Sequence, residues 1–97
     1  MPSTYLIADV DVHDVAAFEK YRNLSSIAMQ AHGAELYIRG RPIEVLEGDW
    51  HPKSVVVLKF ASTEAARRFW DSPEYRKARE AREKVSTMQV VMMEEDM

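Results

Sequence analysis

Glu47, Asp49 and His51 alternate in the string LEGDWHP, residues 46–52. On an extended strand, positions i, i+2 and i+4 share a face, so two carboxylates and an imidazole would point together as a divalent-metal ligand set. Gly48 and Pro52 oppose that arrangement, because glycine weakens a strand and proline removes a ladder donor. The favoured reading is a turn in which Asp49 bonds nearby backbone and Trp50 packs over the bend, with no metal. Glu47 stands apart, at the end of an apolar run that also holds Arg39. A carboxylate buried there must be paired or protonated. Two roles are open: a structural Arg39–Glu47 ion pair, or a catalytic pair in which Arg39 holds an anionic or carbonyl group while Glu47 accepts a proton. Tyr21, Trp50, Phe69, Trp70 and Tyr75 are the aromatic residues that would line such a cleft and bind a small organic ligand. Aromatics at helical spacing more often form core than a ligand wall, and Tyr21 and Tyr75 carry hydroxyls that need partners if buried.

Other chemistry-bearing residues have simpler explanations. Ser72 precedes Pro73 and Glu74, a combination that caps and starts a helix, so it is not read as a nucleophile. In RRFWDSPEYRKAREAREK the charges interleave: Arg76 with Glu80, Arg79 with Glu83 and Glu80 with Lys84 fall at helical pair spacing, describing a solvated helix face rather than a nucleic-acid surface. Met92 and Met93 would point to opposite faces of a strand and cannot chelate together. The three glycines form no phosphate-binding loop, and the absence of cysteine excludes thiolate nucleophiles, disulfides and zinc–thiolate centres. No cofactor is expected.

These side chains must be positioned by a small scaffold. With 97 residues, 46% of them hydrophobic and 30% charged, the sequence describes one globular domain over 1–97. A net charge of −3 argues against a general polyanion binder. The N-terminus lacks the basic start of a signal peptide, and no apolar run approaches the ~20 residues of a membrane span. A cytoplasmic protein is expected, with no nucleic-acid or membrane partner.

TYLIADVDV, with Leu6, Ala8, Val10 and Val12 on one face, predicts the first strand. Ala17, Phe18, Tyr21, Leu24, Ala28 and Ala31 recur at helical spacing, between a capping Asp14 and a terminating Gly33. AELYIRGRPIEVLEG reads as one long strand, bulged or broken at Gly40-Arg41-Pro42. SVVVLKF is the third strand, a helix capped by Ser62 follows, helix restarts at Pro73 and runs to about residue 84, and STMQVVMME is the last strand.

The order β-α-β-β-α-β is that of an α+β, ferredoxin-like fold with an antiparallel sheet and both helical segments on one face. In VVVL, Val55 and Val57 oppose Val56 and Leu58, so both faces are apolar, and Val90 with Met92 against Val91 with Met93 repeats the pattern. One apolar face is left without helices. Two sheets packed face to face would bury it, predicting a homodimer built as an α+β barrel.

The strings YLIADVDV, RG-x-x-x-EVLEGDW-x-P, VVVLKF and EAARRFWDSPEYRKARE together resemble the domain of unknown function 1330 family over nearly the whole chain. The resemblance implies a dimeric ferredoxin-like α+β barrel, in a superfamily that includes small cofactor-free monooxygenases, muconolactone isomerase-like proteins and stress-responsive barrels. Arg41 stands where a second glycine is expected, and Ala34 follows Gly33 where a glycine pair is common. The expected function is binding of a small organic ligand in a cleft between sheet and helices, with cofactor-free proton transfer or oxygenation as candidate chemistry. The alternative is a non-catalytic binding or stress-related module whose barrel is an assembly scaffold.

Overall fold

A computed structural model describes residues 2–96. Its elements run β1 (Thr4–Val12), α1 (Val15–His32), β2 (Glu35–Gly40), β3 (Val55–Phe60), α2 (Thr63–Asp71), α3 (Pro73–Arg82) and β4 (Ser86–Glu94). The strands form one antiparallel sheet in the order β2-β3-β1-β4, the ferredoxin-like arrangement.

Local chemistry sets the helix ends. The Asp14 carboxylate accepts from the Ala17 N–H at 3.0 Å, and Gly33 ends α1 with φ of 66°, a left-handed conformation that suits glycine. The Ser62 hydroxyl accepts from the Ala65 N–H. Ser72 serves two helices at once: its buried hydroxyl donates to the Phe69 carbonyl at 2.7 Å and accepts from the Tyr75 N–H at 3.1 Å. Pro73 at the first position of α3 completes the restart that the sequence predicts.

The registers divide the sheet residues between two faces. Leu6 pairs with Leu58 on one side and Met92 on the other, so all three point the same way. This face meets the helices in a core of Leu6, Ala28, Phe60, Ala66, Phe69, Tyr75 and Ala78. Ala28, Ala66 and Ala78, one from each helix, are fully buried. Small residues at these positions let the helix axes come close enough for Phe60 and Phe69 to fill the space between layers. The opposite face carries Tyr5 and Ile7 of β1, Val55, Val57 and Lys59 of β3, Ile38 of β2, and Val91 and Met93 of β4. No helix covers it. Ile38, Val91 and Met93 are 55%, 60% and 53% exposed.

The second strand departs from expectation. It ends at Gly40, and residues 41–54 form an irregular loop containing a cis Arg41-Pro42 bond. A bulge between Leu36 and Ile38 shifts the register and turns Tyr37 onto the uncovered face, edge-on to Tyr5 and beneath the Lys59 ammonium. The alternating apolar residues of PIEVLE therefore make no ladder: Pro42 cannot donate, and Gly48 takes φ of 97°.

Candidate functional site

The loop 41–54 folds back over the uncovered face. Trp50 Nε1 donates to Asp9 Oδ2 at 3.1 Å, and Lys53 lies 3.6 Å from Asp11 Oδ1, so both β1 aspartates of this face hold the loop. Between loop and sheet lies a concavity of about 610 Å3, walled by Ile38, Gly40, Pro42, Ile43, Val45, Leu46, Trp50, Pro52 and Val55, with Glu44 and Glu47 as its charged groups. Its size falls within the range of small-molecule sites, about 300–1,000 Å3.

A second concavity of about 440 Å3 lies on the helix side, between α2 and the β1–β4 pair. Leu6, Ala66, Trp70, Val90, Val91 and Met92 line it, with Arg67 and Asp71 at hand. Trp70 is fixed from behind by Arg79, whose guanidinium lies 4.3 Å from the ring centroid and donates to the Trp70 carbonyl at 3.0 Å.

The expected site residues are thus split into two groups by the sheet. Glu47 and Trp50 share the concavity on the uncovered face. Tyr21, Phe69, Trp70 and Tyr75 pack on the helix side, where Phe69 and Tyr75 belong to the core and Tyr21 and Trp70 lie against it. Arg39 joins neither group. It sits opposite Val56, on the helix-facing side of the edge strand, exposed and outside both concavities. Glu47 is exposed as well, and no ion pair joins it to Arg39 among the described residues. The buried Arg39–Glu47 pair is therefore corrected: the strand that would have buried Glu47 has already ended. Glu47, Asp49 and His51 likewise lie in the loop rather than on one strand face.

Sequence reasoning missed two features. The Tyr21 and Tyr75 hydroxyls meet at 2.7 Å, so each phenol is the other's partner. Burial, and then the Tyr21 phenol beside it, push the Tyr75 hydroxyl well above its ordinary pKa. The α3 arginines are the second surprise. Arg79 stacks on Trp70 and Arg82 lies over the Tyr21 ring, instead of pairing with acids on a solvated face. Only Tyr75 and Arg79, four positions apart on α3, gave a local signal; Trp70 and Tyr21 reach their arginines through the packing of the helices. Among the described residues, no three His, Asp or Glu side chains gather where they could hold a metal ion, and no helix is long and apolar enough to cross a membrane.

The fold defines the class: a ferredoxin-like α+β domain with one sheet face free. The family follows from the chain itself, since residues 3–96 match the model of a domain of unknown function (DUF1330), and the protein belongs to that family. No curated protein matches it. Among solved structures, it is similar to a protein of unknown function from Rhodopseudomonas palustris, with a TM-score of 0.81 at 16% identity over 99% of this chain and 84% of that one. A dimeric ferredoxin-like protein of unknown function from Jannaschia sp. aligns with a TM-score of 0.72 at 11% identity, covering 96% and 99%. The cofactor-independent oxygenase SnoaB from Streptomyces nogalater aligns at 0.67 with 16% identity, covering 100% and 96%. At these identities the likeness establishes the fold.

Proposed function

We propose that the protein works as a homodimer, sheet against sheet, and that each copy binds a small organic molecule in the concavity under the 41–54 loop. One observation carries this reading: the concavity under the loop is continuous with an apolar sheet face that no helix covers. Ile38 and Val55 belong to both. Contiguous apolar surface of this kind marks an interaction site. Of the charges bordering the face, Asp11 is offset by Lys53, Asp9 accepts a hydrogen bond from Trp50, and Lys59 lies over the Tyr37 ring. The dimeric assembly of a fold neighbour supports the same arrangement.

Ligand binding is the primary function in this reading. Glu47 is a base able to take a proton from a bound molecule, which keeps the proton-transfer chemistry open without a cofactor. Oxygenation rests on the likeness to the cofactor-independent oxygenase alone. A second reading, binding without turnover, is favoured by the absence of Arg39 from the walls. Sedimentation equilibrium at micromolar concentration tests the assembly: a dimer is expected, and a monomer overturns it. A thermal-shift screen with small aromatic alcohols, lactones and quinones tests binding, with stabilisation expected in the wild type and reduced in Glu47→Gln and Trp50→Ala.

A further inference from the structure

We infer that the concavity under the 41–54 loop is half of a binding site: a second copy closes it, and its two carboxylates select an apolar ligand that is uncharged or cationic. The inference rests on the homodimer reading and deepens it.

The concavity lacks enclosure in the protomer. Specific small-molecule sites bury about 70–90% of the ligand surface. Here the walls themselves stay open to solvent, with Leu46 89%, Trp50 59% and Ile38 55% exposed. Ile38 and Val55 supply the sheet side and the loop the other, and the concavity between them stays open to solvent at the border of the uncovered face. A second sheet packed on that face would lie beside this opening. A two-fold interface is self-complementary, so the surface of each copy that buries its partner's face also covers its partner's concavity. Leu46, at 89% the most exposed large apolar side chain among the described residues, is left to solvent in the protomer, and a second copy on this face would shield it.

The walls also carry charge of one sign. Glu44 and Glu47 are the charged wall residues, and neither Arg39 nor Arg41 lines the concavity although both are near in sequence. Covering the site lowers the local dielectric and strengthens the effect of those carboxylates on a bound charge. An anion is repelled and a cation favoured, and the exposed indole of Trp50 offers a surface on which a cation can stack. The ligand class is therefore an apolar ring system that is neutral or bears an ammonium-type group, not an aromatic acid. Because the site is complete only in the dimer, ligand and dimerisation must strengthen one another.

Three probes with one ring system separate these points: 2-naphthylmethylammonium, 2-naphthalenemethanol and 2-naphthoate, titrated calorimetrically into the wild type above its dimerisation constant. The ammonium and the alcohol are expected to bind, with the naphthoate at least tenfold weaker. The Glu44→Gln/Glu47→Gln double variant should narrow that gap to under threefold. Met93→Glu, on the uncovered face and outside both concavities, should sediment as a monomer with unchanged far-UV circular dichroism and bind the alcohol at least tenfold more weakly. If that variant does not fold, dilution of the wild type through dimer dissociation gives the same comparison. A monomer that binds as tightly as the dimer overturns the shared site and leaves the homodimer standing. Equal binding of naphthoate overturns the charge selection. A wild type that is monomeric throughout, or that binds none of the probes, overturns the underlying reading instead.

Discussion

The hydroxyls of Tyr21 in α1 and Tyr75 in α3 lie 2.7 Å apart, joining two helices that are 54 positions apart at this point. The contact follows from the helix restart. Ser72 ends α2 and begins α3 on the same hydroxyl, placing Tyr75 in the first turn of α3 with its ring 4.4 Å from Phe69 and its oxygen toward α1. A buried phenol needs a partner, and Tyr21 supplies one. Neutral hydrogen bonds of this kind contribute about 1 kcal/mol net. Tyr75→Phe and Tyr21→Phe should each lower urea-unfolding stability by about that amount, with the double variant little worse than either single. Additive losses would mean that the two hydroxyls are satisfied independently.

The same phenol makes a pH prediction. Tyr75 ionises well above the ordinary 10.0, pushed there by burial and then by Tyr21, whereas in the unfolded chain it ionises near the ordinary value. Its contribution is fully present below pH 10 and is lost as pH rises beyond it, because the unfolded state releases the proton first. In urea-midpoint measurements against pH, the alkaline limb of Tyr75→Phe should be shallower than that of the wild type.

On the acid side the relevant contact is between the end of α1 and the start of α3. His32 Nε2 lies 3.0 Å from Glu74 Oε1, and this bond, followed by a backbone N–H at the helix N-terminus, holds the Glu74 carboxyl below its ordinary 4.5. A lowered folded value means that stability is present above 4.5 and is lost as pH falls through that lowered value. Glu74→Gln should flatten the stability profile below pH 4.5. His32→Asn should move the Glu74 titration, followed by NMR, back up toward the ordinary value.

Ser72→Ala removes two hydrogen bonds at a buried position and leaves the Phe69 carbonyl and the Tyr75 N–H without it. Loss of an N-cap alone costs about 1 kcal/mol, and an unsatisfied buried group about 1–3 kcal/mol. A loss of about 2–3 kcal/mol in urea unfolding is expected. Ser72→Thr keeps the hydroxyl and should recover most of it.

Ser72 also marks how far local rules reach. Asp14, Gly33, Ser62 and the Ser72-Pro73 pair announce helix ends through chemistry confined to a few residues, so those boundaries were legible. The sheet faces were too, because β1, β3 and β4 alternate without interruption. The break at Gly40-Arg41-Pro42 was legible as well, but not that the strand fails to resume beyond it. PIEVLE has the alternation of a strand, and nothing local distinguishes apolar residues facing a helix layer from apolar residues in a loop folded onto an uncovered sheet face. Placing Glu47 in a buried strand followed from that ambiguity. Trp50 was recognisable as a residue of the bend, but its partner Asp9 is 41 positions away and only the sheet register brings them together. The separation of Trp50 from Trp70 by the sheet has the same origin.

The Trp50–Asp9 bond is what ties the loop, and hence the candidate site, to the sheet. Trp50 is 59% exposed, so its bond competes with water and its ring is held by little else on its outer side. Hydrogen bonds to charged acceptors contribute about 1.5–3 kcal/mol when sheltered, and exposure places this one at the lower end. Trp50→Phe keeps an aromatic wall and removes the donor; Asp9→Ala removes the acceptor. Each should speed amide exchange across 41–54 by up to about tenfold, the equivalent of about 1.4 kcal/mol, while exchange in β1 and β3 stays unchanged. The double variant should match either single, since both break one bond. Unchanged loop exchange in both singles would show that Lys53–Asp11 and the apolar contacts of the loop hold it without Trp50. A further acceleration in the double would show that the two residues anchor the loop separately.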